Sequence, residues 1–276
     1  MRRLIPAVLS LAVVSAAHAD IFRVDDDAAP NGDGSSWARA FDSLTDALAV
    51  ANSGDQIWVA GGRYIPDTPA GSAATFNIPD GVQVYGGFDG DESTLAQRGN
   101  PLSPISELNG ARNSYHVVTM NNVGPGTVLD GFRITLGLAD GTSTNAHGGG
   151  LFATDSAPII RNVRFEQNIA NSRGGGAYFE GSPANFVNIT NCEFNDNSSA
   201  LGAALYSQSA TTVQDCQFTG NSDGPAYYIT GDGIQTIDDS TFRQNTGGQA
   251  GAIRTAMDPG GSSIITDCVF TQNEGT

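Results

Sequence analysis

Between residues 160 and 273 one order of apolar, small and polar positions returns five times. Each unit opens on a β-branched residue, at Ile160, Ile189, Val213, Ile237 and Ile265. Two positions on stands Asn162, Asn191, Asp215, Asp239 or Asp267, followed at once by a small residue, Val163, Cys192, Cys216, Ser240 or Cys268. A phenylalanine comes two residues later, at Phe165, Phe194, Phe218, Phe242 and Phe270, and an asparagine three beyond it, at Asn168, Asn197, Asn221, Asn245 and Asn273. A step of 24 to 29 residues marks stacked repeats, in which one unit cannot bury its own apolar face without its neighbour.

The parity of the columns says what is stacked. The phenylalanine and the small residue two before it share a strand face, whereas the Ile/Val column five before it has the opposite parity. The Asn/Asp between them tolerates a left-handed backbone, so the spacing predicts strand, corner, short strand, and a second corner at or near the asparagine three after the phenylalanine. The third side carries Gly174-Gly175-Gly176-Ala177, Gly202-Ala203-Ala204-Leu205, Gly224-Pro225-Ala226 and Gly251-Ala252-Ile253, where residues without bulk let coils approach. No run of ten residues here has helical periodicity, which sets aside a helical solenoid.

Before the regular units, Gln56–Ala60, Phe76–Ile78, Val82–Tyr85, Tyr115–Met120 and Thr127–Thr135 read as strands in longer, less regular coils. Residues 20 to 55 read as an N-terminal cap. Ile21–Val24 forms a strand, and Leu44, Ala47, Leu48 and Ala51 an amphipathic helix, with Ser43 and Asp46 as a capping box and Gly54 as its stop. Trp37 and Phe41 are expected to pack beneath that helix. The β-helix then runs from 56 to 276, irregular to about 140 and regular after it, with an uncapped final coil. The loops Pro66–Ala74 and Asp89–Gly110 are the expected carriers of binding function.

The paired phrases F-x-x-N and G-G-A-[I/L/V/Y] resemble the repeats of chlamydial-type polymorphic outer membrane proteins and, more broadly, of bacterial secreted right-handed parallel β-helix proteins. The stretches "DGSSWARAFDSLTDALAVANSGDQIWVAGGRYIP", "VYGGFDGDESTLAQR" and "LDGFRIT" resemble the opening of that broader family. The resemblance implies an all-β, right-handed parallel β-helix with a short capping helix, on a bacterial surface or in the medium. It implies no single activity, because the fold carries adhesins, passengers, lyases and hydrolases alike.

Composition adds the compartment. Arg2, Arg3, the apolar run Leu4–Ala17 and the small-residue site Ala17-His18-Ala19 read as a signal peptide spanning residues 1 to 19, too short to span a bilayer. Without it 11 arginines face 29 acids, a formal charge of −18, with no lysine anywhere. Such a surface repels nucleic acid. Cys192, Cys216 and Cys268 share one column and are expected to be free buried thiols, Cys216 and Cys268 being two coils apart and too far to bridge, and Cys192 and Cys216 one coil apart, permitted by Cα distance but awkward for parallel side chains.

No catalytic, cofactor or metal residues are singled out. Asp238-Asp239 would place its carboxylates on opposite faces of a strand. His147-Gly148-Gly149-Gly150 matches an oxyanion phrase, but without a G-x-S-x-G it is read as part of the glycine column. Asp215, Asp239 and Asp267, stacked at one corner, are either solvated or bridged by calcium, and the segment Asp25–Gly34 is a second calcium candidate. Two classes of function remain: a noncatalytic adhesive or structural scaffold binding a glycan or surface protein, and a polysaccharide lyase or glycoside hydrolase. Two carboxyls about 5–10 Å apart in a groove, or acids beside an arginine, in the coils before Asp140 would favour the enzyme.

Overall fold

The computed structural model describes residues 19–67, 72–182 and 184–275. Residues 1–18, on which the expected signal peptide falls, lie outside them. The chain winds into a parallel β-solenoid with three long sheets running along its axis. The first holds nine strands, from Ile21–Val24 and Gln56–Ala60 through Gln83–Phe88, Val128–Asp130 and Ile159–Arg161 to Ser262–Thr266. The second holds eight, from Gly62–Tyr64 to Val269–Thr271, and the third seven, from Phe76–Asn77 to Ile253–Met257. Each strand pairs in parallel with its counterpart one coil on, as Phe165 does with Phe194 and Ile160 with Ile189.

The first corner lies where the Asn/Asp column puts it. Asn162, Asn191, Asp215, Asp239 and Asp267 have φ of 53°, 51°, 54°, 46° and 50°. The left-handed turn breaks the alternation, so Ile160, Val163 and Phe165 all point inward and are buried. Gly131 (φ 86°) holds the equivalent corner one coil earlier, which divides the expected strand 127–135 into Val128–Asp130 and Phe132–Thr135. At the second corner the left-handed residue is the one before the asparagine: Gln167, Asp196, Gly220, Gln244 or Gln272.

The phenylalanines form one column. Successive ring centroids from Phe165 to Phe270 are 4.8, 4.8, 4.4 and 5.1 Å apart, with planes within 10° of parallel. Register continues the column backwards through Ile134 and Leu108 to Tyr64. Burying each ring from Phe165 to Phe242 contributes roughly 1.5–3 kcal/mol, while Phe270 in the last coil is half exposed. Their separation is set by the strands, which hydrogen-bond about 4.8 Å apart.

Beside this column runs a buried amide ladder that the sequence reading placed only at a corner. Asn197 donates from Nδ2 to the Phe165 carbonyl (3.0 Å) and to Asn221 Oδ1 (3.1 Å), and Asn221 Oδ1 also accepts from the Asn197 backbone N–H (3.0 Å). The same pattern links Asn168 to Asn197 and Asn221 to Asn245. A stacked amide both donates to and accepts from its own copy. A carboxylate cannot, which explains why this column is asparagine in every unit while the exposed corner is Asn in two units and Asp in the next three.

At the N-terminal end the helix Leu44–Val50 buries Leu44, Ala47 and Leu48, and Ser43 Oγ accepts from the Asp46 N–H (3.4 Å). Ile21–Val24 is the first rung of the first sheet. Trp37 and Phe41 part company: Phe41 joins Phe22 against the interior, whereas Trp37 packs outside the first sheet on Phe88. The reason is the bend after Arg39, which returns Phe41 to pair with Val24.

The ladder yields a contrast between two chemically identical substitutions. Asn221→Asp strips two amide donations from a buried site and is expected to cost at least about 1–3 kcal/mol in chemical denaturation. Asn191→Asp, at the exposed corner, is expected to stay within about 0.5 kcal/mol of the parent. Equal midpoints for the two variants would refute the ladder.

Candidate functional site

On the first sheet the carboxylate of Asp130 is closed in. Trp58, Tyr85 and Phe88 form an outer aromatic cluster, Trp58 stacking on Phe88 at 4.9 Å. The segment after Phe88 folds back over it. Glu92 gathers the N–H groups of Asp89, Gly90 and Asp91 at 2.8–3.1 Å, and Trp37 Nε1 donates to the Glu92 carbonyl (2.8 Å). Arg98 then reaches Asp130 Oδ2 at 3.0 Å, Arg161 Nε meets the same oxygen at 2.8 Å, and Asn162 Nδ2 donates to Oδ1 at 2.7 Å. Asp130 is 1% exposed with both oxygens taken. An acid beside arginines therefore does exist before residue 140, as an occupied staple between coils. Of the expected loop Asp89–Gly110, the first part is this cover, and Ser106–Asn109 is a rung of the second sheet. The other expected loop, Pro66–Ala74, lies partly outside the described residues.

The outer face of the second sheet carries a ladder of ion pairs. Glu107 lies 3.6 Å from Arg63 and 3.1 Å from Arg133, Arg133 lies 2.7 Å from Glu166, and Arg164 lies 2.8 Å from Glu193. These pairs join neighbouring coils and leave no carboxylate in them without an arginine.

The corner aspartates are crowded. Oxygens of Asp238, Asp239 and Asp267 come within 4.8 Å of one another, and so do those of Asp25, Asp26 and Asp27. The expectation that Asp238 and Asp239 face apart is corrected here: Asp239 is the left-handed corner, so strand alternation does not carry through it. Asp238 foremost, then burial, Asp215 and Asp267, push the Asp239 carboxyl above its usual range. The cysteine thiols are free. Cys192 is pushed well up by burial, and its Sγ meets the Ile160 and Thr190 carbonyls.

The third sheet presents a different surface. In Ala177-Tyr178-Phe179 the flanking residues enter the main core, so Tyr178 faces outward. It belongs to an external column of Phe152, Tyr178, Tyr206 and Tyr228 with centroids 5.4, 5.1 and 5.5 Å apart. Side chains from the preceding corners lie on these rings: His116 on Phe152 (4.7 Å), His147 on Tyr178 (5.0 Å) and Arg173 over Tyr206 (5.2 Å). Arg254 lies over Tyr228 at 5.3 Å. Tyr178 Oη donates to Glu180 Oε2 at 2.8 Å, and the carboxylate and burial, burial first, hold the phenol well above its ordinary range. Burial also lowers both imidazoles, Arg173 adding to the effect at His147. His116 Nδ1 lies 3.1 Å from the Gly148 carbonyl, which can only accept, so that nitrogen carries the proton.

His147 thus has a place that the phrase His147-Gly148-Gly149-Gly150 did not reveal. Its glycines answer to coil packing: Gly148 has φ 63°, and a Cβ on Gly149 or Gly150 would fall against carbonyl oxygens of the next coil. The aromatic column could have been read from the alternation in Leu151-Phe152-Ala153, Ala177-Tyr178-Phe179 and Leu205-Tyr206-Ser207. Arg254 continues the column in register with Tyr228, but the placing of Arg173 and His147 against it could not be read, because Arg173 belongs to a separate short sheet of Leu138–Ala139, Ile169–Arg173 and Ser198–Leu201, and His147 is bridged to Arg173.

A parallel solenoid with inward columns of this kind defines a β-helix protein. The family described as "Right handed beta helix region" matches residues 138–276, half of the chain, and this protein belongs to it. A second family, described as "Protein of unknown function (DUF1565)", matches residues 27–181. Two solved structures are similar: pectate lyase Pel9A, at 13% identity and TM-score 0.41 over 88% of this chain and 78% of that one, and the pectin methylesterase from Aspergillus niger in deglycosylated form, at 12% and 0.42 over 95% and 87%. A search of curated proteins returned no match.

Two measurements probe these clusters. Imidazoles held below their ordinary range bind fewer protons folded than unfolded, so their contribution to stability is present above pH 6.5 and is lost as pH falls below it. The melting temperature is expected to drop between pH 7.5 and 5.5, and to drop less in the double variant His116→Gln, His147→Gln. Asp239 has the opposite sign, its raised carboxyl favouring the folded state as pH falls. Asp239→Asn should raise the melting temperature by about 1–3 °C at pH 7 and low salt, and the gain should vanish at pH 3.

Proposed function

We propose that the chain is an exported, noncatalytic β-helix scaffold, adhesive or structural in use, which engages a partner or glycan along its outer faces. The observation that carries this reading is the engagement of Asp130. The acid best placed for chemistry in the long coils spends both oxygens on Arg98, Arg161 and Asn162, which ties two coils and the covering segment together. Glu107, Glu166 and Glu193 are committed in the same way on the second sheet. Individually such pairs contribute little, but in register along an axis they stiffen it. Export rests on Arg2, Arg3, the apolar run to Ala17 and the Ala17-His18-Ala19 site.

Turnover on a polysaccharide panel, with and without calcium, tests the noncatalytic part, and a glycan and surface-protein binding array tests the other. The expected outcome is no product above buffer and saturable retention of at least one ligand. Release of reducing or unsaturated ends that is abolished by Asp130→Asn would overturn the proposal in favour of a lyase or hydrolase.

A further inference from the structure

Cations are scarce on this protein, and most are spent. Among the described residues Arg39, Arg63, Arg98, Arg133, Arg161 and Arg164 stand in ion pairs. Arg173 and Arg254 pair with no carboxylate among the described residues, and each is held over a tyrosine ring of the third-sheet column. Arg173 Nε and His147 Nδ1 are buried without a hydrogen-bond partner. A chain at −16 thus places two guanidinium groups without a carboxylate partner, Arg173 with a hydrogen bond to Tyr178, and two imidazoles on one strip.

What the strip offers follows from its layering. Tyr178 and Tyr206, at 1% and 4% exposure, form a floor whose faces are already covered by each other and by His147 and Arg173, which leaves no open ring for a sugar or base to stack on. Half-buried Arg173, Tyr228 and Arg254 rise from that floor. A guanidinium laid on a ring has already lost much of its side-chain freedom, so its fork of N–H donors meets a carboxylate at little further entropic cost. Arg173 and Arg254 lie over Tyr206 and Tyr228, rings 5.5 Å apart and so about 1 Å closer than side chains at i and i+2 on one face of an extended peptide, a difference that two long side chains can take up. At physiological ionic strength the screening length is about 8 Å, so the remote acids of the chain count for less than these neighbours. The local opponent is exposed Glu180.

We propose that the outer strip of the third sheet, centred on Arg173, Tyr206, Tyr228 and Arg254, docks an extended acidic peptide segment of a partner protein. The proposal rests on the scaffold reading and names the chemistry of its partner.

The test is fluorescence anisotropy of the full chain with a labelled 12-residue peptide carrying Asp at alternate positions, beside its Asn counterpart and an acidic oligosaccharide. Saturable binding of the Asp peptide is expected, with none for the Asn peptide. Arg173→Gln with Arg254→Gln should weaken it by about tenfold or more, equivalent to one good charge-assisted contact or better. Glu180→Gln, which keeps the shape and the Tyr178 hydrogen bond, should tighten it by a few fold. Melting curves of all variants control for folding, and Arg254→Gln alone serves if Arg173→Gln disturbs it. Absence of peptide binding, or equal binding by a folded double variant, overturns the inference. Arginine-dependent binding of the oligosaccharide in place of the peptide overturns it too while leaving the scaffold reading intact. Polysaccharide turnover would instead remove the scaffold reading itself.

Discussion

Parallel strands hydrogen-bonded about 4.8 Å apart place every side chain directly on its counterpart from the next coil. The rest of this molecule is a set of answers to that constraint. A phenyl ring tolerates its own copy, and so does an amide, which donates on one side and accepts on the other. A carboxylate does not. Asparagine therefore fills the buried ladder from Asn168 to Asn273 without exception, while aspartate is confined to the solvent side of the first corner, where Asp239 still carries the strain of its neighbours as a raised carboxyl.

The same rule shapes the exterior. On the second sheet one column stacks Arg63, Glu107, Arg133, Arg164 and Glu193, and its like-charged step, Arg133 on Arg164, is offset by Glu166 at 2.7 Å from Arg133 and Glu193 at 2.8 Å from Arg164. On the third sheet the column is aromatic, and the cations above it are held by ring faces in place of acids. The first sheet solves the problem by being covered: its aromatic rows are too apolar for water, and the segment from Asp89 returns across them, fixed by Arg98 on Asp130. Three faces with the same pitch thus have three different chemistries, and the third gathers two cations that pair with no carboxylate among the described residues.

Several features were legible from one dimension. The five-column unit announces its corners because a residue that must reverse the strand's parity is drawn from the few types that tolerate positive φ. The capping helix is written in the spacing of Leu44, Ala47 and Leu48. The division of strand 127–135 at Gly131, and the separate fates of Trp37 and Phe41, were not legible, since neither residue pair differs locally from an unbroken strand or a shared cluster. The meeting of Asp238 with Asp239 was misread for the same reason: alternation is a property of continuous strand, and the corner ends it.

By itself the sequence determined the solenoid, the identity of its inner columns and the sign of its surface, because those depend on composition and on period, which are properties of one chain read once. The partners of Asp130, the closing of the Asp89 segment over the first sheet and the gathering of His147, Arg173 and Arg254 on the tyrosine column were decided only in the folded protein. Each of these joins residues some 26 to 33 positions apart through the lengths of the coils between them, and an insertion of one residue in any of those corners would have brought a different side chain to the same place.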